Sequence, residues 1–212
     1  MKAFIYTGGK IYPSGITEHP KSDDLCIAAD SGYQNALSLG ERVDILLGDF
    51  DSYRDTLPEG AKIIKLPAEK DLTDTQVAIR EALSRGADDI VIIGGLSGRI
   101  DHALANLNIL PELWELRVHA LINDGANRVR YINSSSTLIA RSHFKYVSVI
   151  PIDKKLRGVS IEGCKYPLSN ATVSRSGIFT VSNEIDGNCA LISVRKGACY
   201  VVESRDIGEI QS

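Results

Sequence analysis

The residues best equipped for chemistry sit in three short acidic segments: Gly48-Asp49-Phe50-Asp51-Ser52, Lys70-Asp71-Leu72-Thr73-Asp74 and Gly98-Arg99-Ile100-Asp101-His102. Each follows a run of apolar, β-branched residues, so each falls where a strand gives way to a loop or helix. In an open α/β sheet such positions form the ligand crevice. Carboxylates gathered there repel one another unless a cation joins them, and hard oxygen donors suit Mg²⁺. The chemistry this points to is a metal–phosphate site.

Taken singly, each segment also has a plainer reading. Asp49 and Asp51 are two apart, so in an extended stretch both carboxylates share one side and form a metal-binding edge; a solvated turn has the same pattern. Asp71 and Asp74 stand at a helix entry, where the helix dipole favours negative charge, as ligands or as capping groups. Lys70 is a phosphate contact or an exposed lysine, and Gln76 completes a helix cap. Gly94-Gly95-Leu96-Ser97-Gly98-Arg99 is a glycine-rich turn able to present backbone N–H groups to phosphate, though it fits neither a Walker loop nor G-x-G-x-x-G. Arg99 is the best fork for phosphate oxygens. Asp101 is a metal ligand, a proton acceptor or a cap, and Asp30-Ser31-Gly32 adds a fourth acid of the same kind.

The elements that must position these groups fall into two styles. Up to about residue 123, apolar runs alternate with helical patterns. Strands are expected at Ala3–Tyr6, Leu25–Ala29, Asp44–Leu47, Lys62–Leu66, Ile90–Ile93 and Val118–Ile122. Helices are expected at Tyr33–Leu39 before Gly40, at Thr73–Arg85 before Gly86, and from about His102 to Leu110, where Pro111 should halt the third. Thr73 and Gln76 match a capping box. This alternation implies crossover units and a mostly parallel sheet. From about Asn127, short β-rich runs follow at Val129–Ile132, Ser136–Ala140, Tyr146–Pro151, Val159–Glu162, Thr172–Ser174, Thr180–Ser182, Ala190–Val194 and Cys199–Glu203, with breakers such as Arg157-Gly158 and Lys196-Gly197. The expectation is an α/β domain over 1–125 followed by an all-β antiparallel sandwich or barrel over 126–212.

Bulk properties exclude several classes. The 212 residues are 43% hydrophobic and 24% charged, with 24 basic and 27 acidic side chains for a formal net charge of −3. So balanced a chain has no strong positive field to attract nucleic acid or a membrane surface. No apolar stretch reaches the roughly 20 residues of a membrane span, and the first strand is too short an apolar core for a signal peptide. A cytoplasmic protein is expected. Cys26, Cys164, Cys189 and Cys199 lack a C-x-x-C pair and read as reduced, buried thiols.

In order and spacing, Asp30-Ser31-Gly32 and the segments around Asp49, Asp71 and Gly94–His102 resemble thiamine pyrophosphokinases, and Val181-Ser182-Asn183-Glu184 resembles that family's Ser-Asn segment near thiamine. The resemblance implies transfer of a diphosphate from ATP to the hydroxyl of thiamine, giving thiamine diphosphate and AMP with Mg²⁺. It implies that Asp49, Asp51 and Asp74 hold Mg²⁺ and that Lys70, Asp71, Gln76 and Arg99 line the phosphates. Asp101 would orient or deprotonate the hydroxyl, Asp71 and Arg99 would join it in catalysis, and Asp30 would support the cleft. Ser182 and Asn183 would approach thiamine, in a homodimer whose pocket lies between subunits. Ser97 departs from the pattern, since relatives often carry glycine there. Another metal-dependent nucleotide hydrolase or kinase, or a non-catalytic nucleotide or thiamine binder, fits the same acids.

Overall fold

Strands covered on both faces have no reason to alternate apolar with polar residues, and the unbroken apolar runs of the first half form such strands. The protein, described by a computed structural model over residues 1–49, 60–67, 69 and 71–210, divides into two compact units, Met1–Gly125 and Ala126–Ser212. In the first unit β1 (Lys2–Tyr6), β2 (Leu25–Ala29), β3 (Ile45–Gly48), β4 (Lys62–Lys65), β5 (Asp89–Ile93) and β6 (His119–Asn123) lie in the order β4-β3-β2-β1-β5-β6. Every pairing among them is parallel.

The two-residue pleat sorts the core. Phe4, Tyr6, Cys26, Ala28, Leu46, Val91 and Ile93 pack on one face with Tyr33 and Ala36 of α1 (Gly32–Ser38). Their neighbours Ala3, Ile5, Ile27, Ala29 and Leu47, also buried, point to the opposite face. There α2 (Asp74–Ser84) lies against β1, β2 and β3 and buries Ala78, Ile79 and Ala82. Gly32 is obligatory at the start of α1: a Cβ there would stand 2.1 Å from the Tyr6 carbonyl oxygen.

The third helix differs from expectation. It runs from Ile100 to Glu115 as α3, straight through Pro111. Proline cannot donate to the carbonyl four residues back, which normally ends a helix. Here Leu110 and Leu113 are 2% and 1% exposed, and burying both outweighs one missing bond.

The second unit holds β7 (Asn127–Asn133), β8 (Ser136–Ala140), β9 (Tyr146–Pro151), β10 (Lys155–Glu162), β11 (Leu168–Ser174), β12 (Cys189–Lys196) and β13 (Ala198–Ser204). Their pairings are all antiparallel, in the orders β7-β13-β9 and β11-β10-β12-β8, the latter a four-stranded sheet of its own. Thr180–Ser182, expected as a strand, is irregular, because Ser182 takes a left-handed φ of 59° that an extended run cannot accommodate. Inside this unit Glu203, 1% exposed, receives hydrogen bonds from both Arg128 and Arg130. The expectation of four buried thiols fails at one position: Cys26, Cys164 and Cys199 are buried, whereas Cys189 is exposed, being the first residue of its strand. Among the described residues no helix is long and apolar enough to cross a membrane.

Candidate functional site

Where β1, β2 and β5 end, the chain leaves the sheet side by side, and this is where the strand order reverses. From β1 the sequence proceeds outward through β2, β3 and β4, whereas β5 and β6 lie on the other side of β1. A crevice opens at such a switch point, outside the carboxyl ends of the strands. Here it is a cavity of about 350 Å³ whose lining includes Thr7, Gly8 and Gly9 after β1, Asp30 and Ser31 after β2, and Gly95, Ser97, Gly98 and Arg99 after β5. Thr73, Asp74 and Thr75 at the start of α2, with His102 and Asn106 of α3, complete it.

Polar contacts fix each wall. Asn106, buried on α3, donates through Nδ2 to the Gly95 carbonyl at 2.9 Å. Gly95 has φ 76°, and a Cβ there would meet that same Nδ2 at 2.6 Å, so only glycine fits. Asn35 of α1 donates to the carbonyls of Thr7 and Gly9 at 2.7 and 2.9 Å. Ser97 Oγ donates to the Lys10 carbonyl at 3.0 Å, tying the β5 turn to the β1 turn. Beneath them the Thr7 and Thr75 hydroxyls share a buried hydrogen bond of 2.7 Å. Asp30 adopts a left-handed φ of 48° while its amide donates to the Leu47 carbonyl at 2.7 Å, a conformation a short acid tolerates better than most side chains.

The acids take different stations. Asp74 sits in the first turn of α2, behind a complete capping box of Thr73 and Gln76, and its Oδ1 is shut off from solvent. The helix dipole favours its charge there. Arg99 and Asp101 grip each other on the exposed rim: Nε donates to Oδ1 at 3.2 Å and Nη2 to Oδ2 at 2.5 Å. Asp101 Oδ1 also accepts the His102 amide. The bound Arg99 guanidinium, aided by that amide, holds the Asp101 carboxyl below the usual carboxylate range, and the pair raises Arg99 in turn. Two of the five guanidinium donors face the carboxylate, leaving the Nη1 edge for a second anion.

Of the residues singled out in the sequence, Asp30, Asp74 and Arg99 meet in the cavity wall. Asp101 stands beside it through Arg99. Asp49 follows β3 as a half-buried residue and Asp71 is exposed before α2; neither lines the cavity. Gln76 Oε1 accepts from the Thr73 amide and hydroxyl at 3.0 and 3.2 Å. That role belongs to the cap. Asp51 and Lys70 lie outside the described residues. In the second unit Ser182 is exposed with its amide on Ser148 Oγ. Asn183 is buried, its Oδ1 accepting the Tyr166 and Glu184 amides and its Nδ2 donating to the Tyr166 carbonyl. The side-chain amide of Asn183 thus shapes a turn.

The sequence reading passed over Thr7, Gly8, Gly9, Thr75 and Asn106. A signal existed for most of them: Gly8-Gly9 follows β1 as Gly94-Gly95 follows β5, and Asn106 is one helical turn beyond His102. Asp30 and Asp74 supply hard oxygens of the type Mg²⁺ prefers. Among the described residues no three metal-binding side chains cluster, and Mg²⁺ often takes only one or two carboxylates, with waters and substrate phosphates completing its shell.

Comparison with known proteins gives a consistent picture. A thiamine pyrophosphokinase of Bacillus subtilis is 28% identical over 197 residues, covering 90% of this chain and 92% of its own length. The crystal structure of thiamine pyrophosphokinase from Bacillus subtilis superposes with a TM-score of 0.87 at 25% identity, covering 98% of this chain and all (100%) of that one. That of a thiamin pyrophosphokinase from Geobacillus thermodenitrificans gives 0.82 at 27%, covering 98% and 99%. Residues 135–199 match the vitamin B1 binding domain of thiamin pyrophosphokinase, and residues 17–122 match its catalytic domain. The chain therefore belongs to the thiamin pyrophosphokinase family.

Proposed function

We propose that the protein transfers a diphosphate group from ATP to the hydroxyl of thiamine, releasing AMP, with Mg²⁺. The observation that carries this reading is the switch-point cavity, where Asp30, Asp74, Arg99 and a glycine-rich turn share one wall, in a chain that matches both domains of the family. Residues 1–125 serve as the ATP- and metal-binding catalytic unit and 126–212 as the thiamine-binding unit, in a cytoplasmic homodimer. Partners are thiamine and ATP, without nucleic acid or membrane.

The chemistry is mainly positioning and electrostatics. The thiamine hydroxyl oxygen forms a bond to the β-phosphorus of ATP, and the bond from that phosphorus to the α–β bridging oxygen breaks, that oxygen leaving on AMP. Asp101 orients the hydroxyl and takes its proton, which then passes to water. Arg99 holds Asp101 with one edge and a phosphate with the other, so carboxylate and electrophile share one anchor. The amides of the Gly94–Gly98 turn and the N-terminus of α2 face anionic oxygens. Asp74 and Asp30, joined by Asp49 and Asp51, would hold Mg²⁺; when bound, it neutralises phosphate charge. Lys70 and Asp71 complete the phosphate side, where Gln76 acts through the cap of α2, and Ser182 serves the thiamine side on the turn that Asn183 shapes.

Incubation with ATP, Mg²⁺ and thiamine, followed by phosphorus NMR of the products, tests the reaction. AMP with thiamine diphosphate is expected. ADP would mean simple phosphorylation, and inorganic phosphate without a thiamine product would mean nucleotide hydrolysis. Light scattering of the purified chain checks the dimer, with twice the mass of one chain expected.

A further inference from the structure

The breakers Arg157-Gly158 and Lys196-Gly197 find no use in the proposed reaction, yet the fold brings them together. In the second unit a concavity of about 400 Å³ is lined by Asp153, Lys154, Lys155, Arg157, Lys196 and Gly197. Arg157 of β10 lies directly opposite Lys196 of β12 in the antiparallel register. Like charges in that relation destabilise a sheet. Lys155 is on the same face as Arg157, since both are exposed while Leu156 between them is fully buried. The turn carrying Asp153 and Lys154 is clamped alongside: the Ile152 amide donates to the Ala198 carbonyl at 2.9 Å, and the Ala198 amide to Asp153 Oδ2 at 3.0 Å. Gly197, at φ 114°, keeps the floor open, because a Cβ there would press on Leu156 Cδ2 at 3.0 Å and Asp153 Oδ2 at 3.2 Å.

Four cations therefore surround one hollow containing a single carboxylate, itself engaged by a backbone amide. Among the described residues, Lys154, Lys155, Arg157 and Lys196 make no ion pair and no side-chain hydrogen bond. A chain with an overall charge of −3 does not need such a positive patch for solubility, and the facing pair Arg157/Lys196 carries a stability penalty. A multiply charged anion removes that penalty: arginine offers a fork and the lysines point charges to phosphate oxygens.

We propose that this hollow is a second anion site, separate from the catalytic cavity, which takes the linked phosphates of a diphosphate or triphosphate. The group can come as free pyrophosphate or on a nucleotide. The site does not depend on the proposed reaction, and its test uses no turnover.

The full chain, labelled with nitrogen-15, is titrated with inorganic pyrophosphate while the amide resonances of Gly158, Gly197 and Ala198 are followed. Saturable shifts at these amides are expected. In the double variant Arg157→Ser/Lys196→Ser they should weaken on the order of tenfold or more, as for loss of charge-assisted contacts, while any shifts at Gly95 and Gly98 persist. Lys196→Glu should abolish the shifts at Gly158 and Gly197 and raise the melting temperature of the free chain, since opposite charges then face each other. A parallel titration with ATP assigns the source: a midpoint at or below that of pyrophosphate selects the nucleotide, a weaker one the free anion. Amides unmoved by pyrophosphate, equal movement in the double variant, or equal movement with sodium chloride alone would overturn the site. So would a response confined to RNA or anionic vesicles.

Discussion

Asp101 and Arg99 show how far a residue's chemistry depends on what it touches. A carboxylate gripped by a guanidinium stays ionised to lower pH than a free one. Its folded value is depressed, so its contribution is present above the ordinary carboxylate pKa, roughly 3.9, and fades only as pH falls through the lower value. An acid limb of turnover caused by Asp101 therefore lies below about pH 4, and Arg99→Gln should raise the Asp101 pKa toward the ordinary range, as read by carbon NMR of the carboxyl. Asp101→Asn should lower turnover roughly 10²-fold or more while ATP still binds by calorimetry; unchanged turnover would remove Asp101 from the catalytic group. Burial pushes the Cys26 thiol up to about 11 and Cys199 up to about 12. A thiol reagent should accordingly label one cysteine per native chain, Cys189, and all four (Cys26, Cys164, Cys189, Cys199) after denaturation.

At the scale of elements, the start of α2 does two things at once. Its capping box ends the loop and sets Asp74 and Thr75 against the cavity. Thr73→Ala should cost about 1 kcal/mol, seen in urea unfolding, and should weaken Mg²⁺–ATP binding more than Ser38→Ala, which removes a hydroxyl of α1 remote from the cavity lining. The cap was legible because Thr and Gln three apart before a periodic run have a local physical meaning. The continuation of α3 through Pro111 was not, because it depends on what Leu110 and Leu113 meet in the core. The irregular Thr180–Ser182 segment has the same cause: its β-rich composition fits a strand, and hydrogen bonds with Ser148 and Val149 hold it in another shape.

For the molecule as a whole, each compact unit has its own interior and its own weak point. In the first it is the close approach of loops around the strand ends. In the second it is Glu203, enclosed between Arg128 and Arg130. Removing one partner of a buried ionic group leaves the others uncompensated, so Glu203→Gln should destabilise the protein by about 3–5 kcal/mol, measured as a lower urea midpoint. A loss below about 1 kcal/mol would show the group behaving as a surface pair.

The amino-acid sequence by itself determined the two styles of chain, the parallel and antiparallel sheets, the capping box and the candidate acids, because periodicity, turn chemistry and charge are local properties. Only the tertiary structure decided which acids share a wall. Asp30, Asp74 and Arg99 come together because β1 and β5 are neighbours although their paired positions Tyr6 and Ile93 are 87 residues apart in the chain, and the Thr7–Thr75 contact beneath them spans 68. It also turned Gln76 and Asn183 toward backbone groups and set Arg157 against Lys196. Which partner a side chain meets across the sheet is settled by strand order and register, and no local pattern in the chain encodes those.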